Sequence, residues 1–483
     1  MKKYTVPVFF LLFTITAALR ASPEPAPDKE QKDLSPAWRA IDIWLEAQRD
    51  YDKLPGLSAA IARDQKTIWS RGYGMADLEK EVRAEPATIY SICSISKLFT
   101  SIAIMQLHDA GKLSLEDRVA DLLPWFDLQQ QWKDSGPITV RTLLTHSSGL
   151  PREADYPYWT GPDFPFPSPE QVKKKLGGQT TLYPASTYFQ YSNLGLTLLG
   201  EIVAEVSGKP YDQYIEENIL KPLRLTDTRT NLPESLWRGK LATGYSALKR
   251  DGSRDMLPLF QAKGIKPAAG FSSTAENLAR FASWQFRLLE NGGKEILKSS
   301  TLREMHRVHW MDPDWKTSWG LGFSVYEVDG RTFVGHGGSC PGYRSTLMID
   351  PQKKWAFVVM INAQGVNPGG YAEGMREILK KAENAKAEAA DKKADLEAYA
   401  GTYEAQPWWG ETAVFPWYGK LAVLGLPSQN PARGMTLLKY MGDDRFRRIR
   451  SDDTLGEEVL FERDEEGKVI RMWQHSNYKN RLK

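Results

Sequence analysis

Three short strings fall in one order along the chain: Ser94-Ile95-Ser96-Lys97, Tyr191-Ser192-Asn193 and His336-Gly337-Gly338. Their residue types suit acyl transfer to a serine. A serine hydroxyl is a weak nucleophile until a base takes its proton. A lysine serves as that base only when neutral, a state that burial or a neighbouring positive charge brings about. Three residues make about one helical turn, so Ser94 and Lys97 share a face of any helix that begins there. A phenol at Tyr191 can pass a proton between nucleophile, lysine and leaving group. An amide at Asn193 can hold a substrate carbonyl or the lysine. Gly337 and Gly338 let backbone approach a ligand closely. The N–H groups of Ser94 and Ser339 are then the candidates for stabilising an oxyanion, with His336 as a hydrogen-bond donor beside the site.

Each string alone is common. Ser-x-x-Lys recurs at residues 246–249 and 476–479, and Tyr-x-Asn at 478–480. The surrounding pattern sets the first group apart. Ile95, Leu98, Phe99, Ile102, Ala103 and Leu107 recur at helical spacing, so a helix begins at or near Ser94. Residues 194–200 read as a buried helix behind the second string, and a loop ending at a helix start projects polar groups into a cleft. Strand patterns at 331–334 and 343–349 flank the third string, which is expected on an edge strand. His306 and His309 share a helical face but lack an acidic or cysteine partner at ligand spacing, so no metal and no cofactor are expected.

In this order the three strings resemble those of the penicillin-binding and serine beta-lactamase superfamily. Within it the chain is similar to the class C beta-lactamase-related group, which also holds D-Ala-D-Ala carboxypeptidases, D-aminopeptidases and esterases. Residues 55–58, 111–115, 143–150, 191–208, 269–273 and 341–343 share in the likeness, which covers roughly residues 35–380. The resemblance implies Ser94 as nucleophile, Lys97 as its base and Tyr191 as proton shuttle. It implies substrate contacts from Asn193, His336, Gly337 and Gly338. His336 stands where beta-lactamases proper carry lysine. Lysine offers a permanent charge to a substrate carboxylate, whereas histidine is mostly neutral near pH 7. Peptides or amides with D-residues, or carboxylic esters, are therefore expected ahead of beta-lactams. A beta-lactamase, or a non-catalytic penicillin-binding sensor on the same fold, is the alternative. Cys93 and Cys340 are the only cysteines. Their placement looks like the disulfide of certain class A carbapenemases, which implies a bond pinning the nucleophile to the oxyanion strand. Two buried free thiols are the other reading.

The start, Met1-Lys2-Lys3 followed by an apolar stretch over 6–19 and small residues at Ala21 and Ser22, reads as a signal peptide over 1–21. The stretch is short for a membrane span, so membrane contact is expected only if it stays uncleaved. Periplasmic or secreted localisation follows, which permits a disulfide. Residues 22–34 read as a disordered, proline-rich tether. Residues 35–380 are expected to form an α/β catalytic domain. In it an antiparallel sheet built from both chain ends is flanked by helices, and a mostly helical lobe over 94–265 completes the cleft. Residues 381–395 read as a helical linker. Residues 396–483 show short strand patterns at 401–403, 411–415, 421–424, 435–440, 446–449, 459–462 and 469–473. These suggest a small antiparallel barrel resembling the lipocalin-like domains attached to some members of the group. Residues 152–169, rich in proline and aromatics, are either a lid over the cleft or a loop packed on its own side chains. A formal net charge of +3 gives no support for a nucleic-acid partner. The expected partners are small-molecule or peptide substrates, cell-wall fragments among them.

Overall fold

A computed structural model describes residues 1–2, 32–386 and 395–482. The expected signal peptide and most of the expected tether and linker, at residues 3–31 and 387–394, lie outside the described residues. The central element is a nine-stranded antiparallel sheet. Its strands run in the order Val82–Arg83, Lys66–Asp77, Gly56–Arg63, Trp355–Ile361, Tyr343–Asp350, Arg331–Cys340, Ser324–Val328, Ser318–Trp319 and Trp310–Met311. The two chain ends meet where Gly56–Arg63 pairs with Trp355–Ile361, with Ala59 opposite Val359.

Side chains alternate across these central strands, and both faces are apolar because both are covered. Leu57, Ala59, Ile61, Phe357, Val359 and Ile361 face one way, against the helices Ser35–Tyr51 and Pro368–Asn384. The first of these helices buries Ala37, Ala40, Ile41, Trp44, Leu45 and Gln48, a stripe at the helical repeat. Ala60, Ala62, Ala356, Val358 and Met360 face the other way, with Ala275–Asn291 and Ser96–Asp109. Every residue of Ser96–Asp109 through Met105 is buried, as expected of a helix enclosed on all sides.

Residues 110–265 are less helical than expected. Val119–Leu122, Val140–Leu144, Pro169–Leu176 and Tyr211–Ile215 are short, and only Asn193–Ser207 is long. Proline removes a donor and disfavours helix in the residue before it, and frequent prolines keep much of this lobe irregular. The aromatic segment over 152–169 is a packed loop. Ala154, Tyr158 and Phe166 are buried, and Phe166 stacks on Phe260 with ring centroids 5.3 Å apart.

The C-terminal domain is an eight-stranded antiparallel meander from Gly401–Tyr403 to Asn477–Asn480. A bridge between Tyr403 and Arg481 nearly closes it into a barrel. The barrel does not stand apart. Ala413, Phe415, Trp417, Ala422, Leu424 and Leu426 share one core with Trp44 and the Pro368–Asn384 helix. Trp44 Nε1 donates to the Ser428 carbonyl at 2.9 Å, and Lys381 Nζ to that of Ala432 at 2.9 Å. Leu34 is buried in the same cluster, and the Tyr418 hydroxyl donates to the Asp33 carbonyl at 2.7 Å. The last residues of the expected tether are thus packed, because the barrel and the first helix close over them.

Candidate active site

Ser94 sits in a 3-10 turn, Cys93–Ile95, that runs directly into the helix Ser96–Asp109. Cys93 has φ +51°, a left-handed conformation that costs a non-glycine residue about 1–3 kcal/mol. The surrounding structure holds it there. Cys93 and Cys340 form a disulfide with Cα atoms 5.6 Å apart, and the Ser345 hydroxyl donates to the Ile92 carbonyl at 3.0 Å. Gly338 is required by this packing, since a Cβ there would lie 2.3 Å from the Ile92 oxygen.

The strand bearing the third string is internal to the sheet rather than at its edge. Its neighbour Ser324–Val328 pairs with it only as far as Gly335. Residues 336–340 therefore keep a single strand partner, Tyr343–Asp350, and the other flank is open. His336 and Gly338 point to the same face by the two-residue repeat, so the glycine admits the nucleophile turn while the imidazole reaches toward Tyr191.

Lys97 is fully buried. Its Nζ lies 3.1 Å from Ser94 Oγ, 2.7 Å from Asn193 Oδ1 and 2.8 Å from the Ala268 carbonyl oxygen. Burial holds its pKa well below the ordinary lysine range; the Glu153 carboxylate opposes the shift and Arg152 adds to it. A neutral amine has two N–H donors and one lone pair. The two donors match Asn193 and Ala268, which leaves the lone pair for the Ser94 proton. The Ala268 carbonyl reaches the amine because Asn193–Ser207 packs tightly on this segment: a Cβ at Gly200 would lie 2.2 Å from Pro267.

Asn193 opens its helix behind an N-cap, Ser192, whose Oγ accepts from Gly195 N–H at 2.9 Å. The Asn193 amide nitrogen donates to Glu153 Oε1 at 2.8 Å, which fixes the amide so that its oxygen faces Lys97. Burial raises the Tyr191 pKa, with the Ser94 hydroxyl opposing, so the phenol keeps its proton. Its ring is sandwiched among His146, with centroids 4.3 Å apart, the Lys97 amine at 4.9 Å and the Arg152 guanidinium at 4.9 Å. His146 Nδ1 accepts from Ser192 N–H at 3.1 Å and so positions the loop bearing the second string.

His336 is buried, and burial, reinforced by Lys97, pushes its pKa down to about 3. Its Nδ1–H donates to the Gly337 carbonyl. The other nitrogen, Nε2, is then an acceptor, 3.5 Å from the Tyr191 hydroxyl. The expected donor beside the site is an acceptor toward the cleft, because a neutral imidazole has one N–H and the backbone takes it.

The fold thus brings Ser94, Lys97, Tyr191, Asn193, His336 and Gly338 together. Sequence reasoning missed Arg152, Glu153, His146 and the Ala268 carbonyl. His146 lies inside a stretch singled out by resemblance, and Arg152 and Glu153 begin the segment read as lid or loop. A main-chain carbonyl leaves no trace in residue type. Among the described residues no three His, Cys, Asp or Glu side chains are grouped to hold a metal ion.

The Beta-lactamase family profile matches residues 43–380. The chain belongs to this family. It is 29% identical over 389 residues to the Beta-lactamase-like protein 2 of Dictyostelium discoideum, covering 78% of this chain and 70% of that one. It is 27% identical over 335 residues to the protein flp of Staphylococcus aureus (strain COL), covering 67% of this chain and 62% of that one. The octameric penicillin-binding protein homologue from Pyrococcus abyssi shares the fold over 92% of this chain and 99% of its own, with a TM-score of 0.63 and 24% identity. Family membership makes the chain a serine hydrolase of the beta-lactamase fold.

Proposed function

We propose that this serine hydrolase works through an acyl-enzyme on Ser94, outside the cytoplasm, on peptides or amides with D-residues or on carboxylic esters. The observation that carries the proposal is the Lys97 amine, buried, its two N–H donors matched and its remaining side turned to Ser94 Oγ. Lys97 takes the Ser94 proton as the hydroxyl oxygen attacks the substrate carbonyl. The N–H groups of Ser94 and Ser339 receive the oxyanion. Tyr191, kept as a phenol, passes a proton to the departing atom, and the same groups activate water to release the acyl product. Asn193 holds Lys97, and Gly337 and Gly338 bring the strand close to the substrate. The neutral His336 offers no permanent charge, which supports peptide or ester ahead of lactam. An extracytoplasmic site agrees with the Cys93–Cys340 disulfide and with the signal-like start of the sequence. An intact lysine and tyrosine support turnover over the sensor reading.

The test is steady-state hydrolysis of a short-chain p-nitrophenyl ester, a D-alanyl p-nitroanilide and a chromogenic cephalosporin by the wild type and Ser94→Ala. Loss of turnover with an unchanged melting temperature is expected. Activity retained by Ser94→Ala removes Ser94 as nucleophile. A cephalosporin hydrolysed fastest replaces the peptide and ester reading with beta-lactam hydrolysis.

A further inference from the structure

Resting on the hydrolase reading, we propose that Arg152 is a specificity-determining residue, which holds a carboxylate on the leaving-group side of the substrate. The main chain of Arg152 is fixed at the site: its carbonyl accepts from the N–H groups of Asn193 and Leu194 at 2.8 and 3.2 Å. Its side chain is the opposite case. It is 59% exposed, with Nε 3.2 Å from Glu153 Oε1 and the guanidinium carbon 4.9 Å from the centre of the Tyr191 ring. Among the described residues its two terminal nitrogens have no hydrogen-bond partner. A planar fork with free N–H groups on one edge matches a carboxylate in bidentate geometry.

The position names the substrate half. Tyr191 passes the proton to the departing atom, so the leaving group travels past its ring, and the cation covering that ring meets the leaving group. The strand bearing the third string offers no competing charge, since His336 is neutral and its N–H is bonded to the Gly337 carbonyl. Among the described residues Glu153 carries the only carboxylate bonded to Arg152, and it is also engaged by Asn193 and the Tyr158 hydroxyl. It therefore orients the guanidinium without occupying its outer edge. Substrates whose leaving group ends in a free carboxylate, such as a C-terminal D-amino acid, are selected over capped ones.

Two matched pairs test this. The first is an N-acetylated D-alanyl-D-alanine and its C-terminal amide; the second is 4-acetoxybenzoate and its methyl ester. The wild type is expected to prefer the carboxylate member of the pair it hydrolyses. Arg152→Gln is expected to reduce the preference ratio in kcat/KM by about 10- to 100-fold, the range of a charge-assisted hydrogen bond, chiefly through KM. Arg152→Lys should restore part of it. A ratio unchanged in Arg152→Gln, or a wild type without preference, overturns the proposal while Ser94-dependent turnover still supports the hydrolase reading. Equal losses on both members also overturn it, since they indicate a role in placing Tyr191 and Asn193. Absence of Ser94-dependent turnover on every substrate overturns the hydrolase reading and this proposal together.

Discussion

Replacing Gly338 by alanine tests whether close packing of the nucleophile turn on the sheet sets the catalytic geometry. The new Cβ would stand 2.3 Å from the Ile92 oxygen and 3.1 Å from Cys93 Cβ. A carbon and an oxygen settle at roughly 3.3 Å, so the turn must retreat by about 1 Å. Ile92 and Cys93 precede Ser94, and the disulfide ties the turn to this strand, so the retreat falls on Ser94 itself. A misplacement of about 1 Å costs on the order of 100-fold in rate. Overpacking of this kind destabilises a fold by about 1–3 kcal/mol. Gly337→Ala is the comparison: its Cβ would meet no protein atom nearer than the Ser345 carbonyl oxygen at 3.7 Å, so a loss there falls on substrate approach and hence on KM, not on the nucleophile turn. The assay is kcat on whichever ester or anilide the wild type turns over, beside thermal unfolding of all three proteins. Gly338→Ala should lose about two orders of magnitude in kcat yet unfold cooperatively, and Gly337→Ala should lose far less. Equal effects of the two alanines, or a Gly338→Ala enzyme within threefold of wild type, would refute the argument.

Lys97→Ala should lower kcat/KM by several orders of magnitude, since the amine that serves as the base is removed; near-normal rates would reassign the base. The pH profile of kcat/KM carries a sign: the base form of Lys97 exists above its lowered pKa, so activity falls as pH falls through that value. His336, at about 3, contributes no step between pH 5 and 8. An inflection near pH 6.5 that vanishes in His336→Asn would contradict this. Cys93→Ser with Cys340→Ser opens a crosslink spanning 247 residues. This should cost about 2–5 kcal/mol in denaturant unfolding, and an unchanged midpoint would show that the crosslink does not stabilise the fold. Deleting residues 396–483 strips Phe415, Trp417 and Leu424 from the core they share with Trp44. The remainder should melt lower or aggregate; an equally stable truncated enzyme would mean that the shared core contributes little.

The sequence by itself determined the strings, the helix behind Ser94 and the strands at 331–334 and 343–349 that flank the third string, because these rest on local periodicity. Seven of the eight barrel strands show the same alternation, and the last, Asn477–Asn480, is missed because its residues are polar and partly exposed. The disulfide came through resemblance, and the described fold contains it. Tertiary structure decided the rest. Lys97 is made a candidate base by an acceptor 171 residues away, the Ala268 carbonyl, and a backbone oxygen is the same in every residue type. Arg152 and Glu153 read as ordinary loop charges until the fold sets Arg152 over the Tyr191 ring and Glu153 against the Asn193 amide. The donor expected at His336 became an acceptor through one hydrogen bond to its own backbone neighbour. The docking of the barrel was hidden because a residue that packs between domains carries the same apolar signal as one that packs within a domain. Periodicity reports which face is buried, and only the assembled fold shows what covers it.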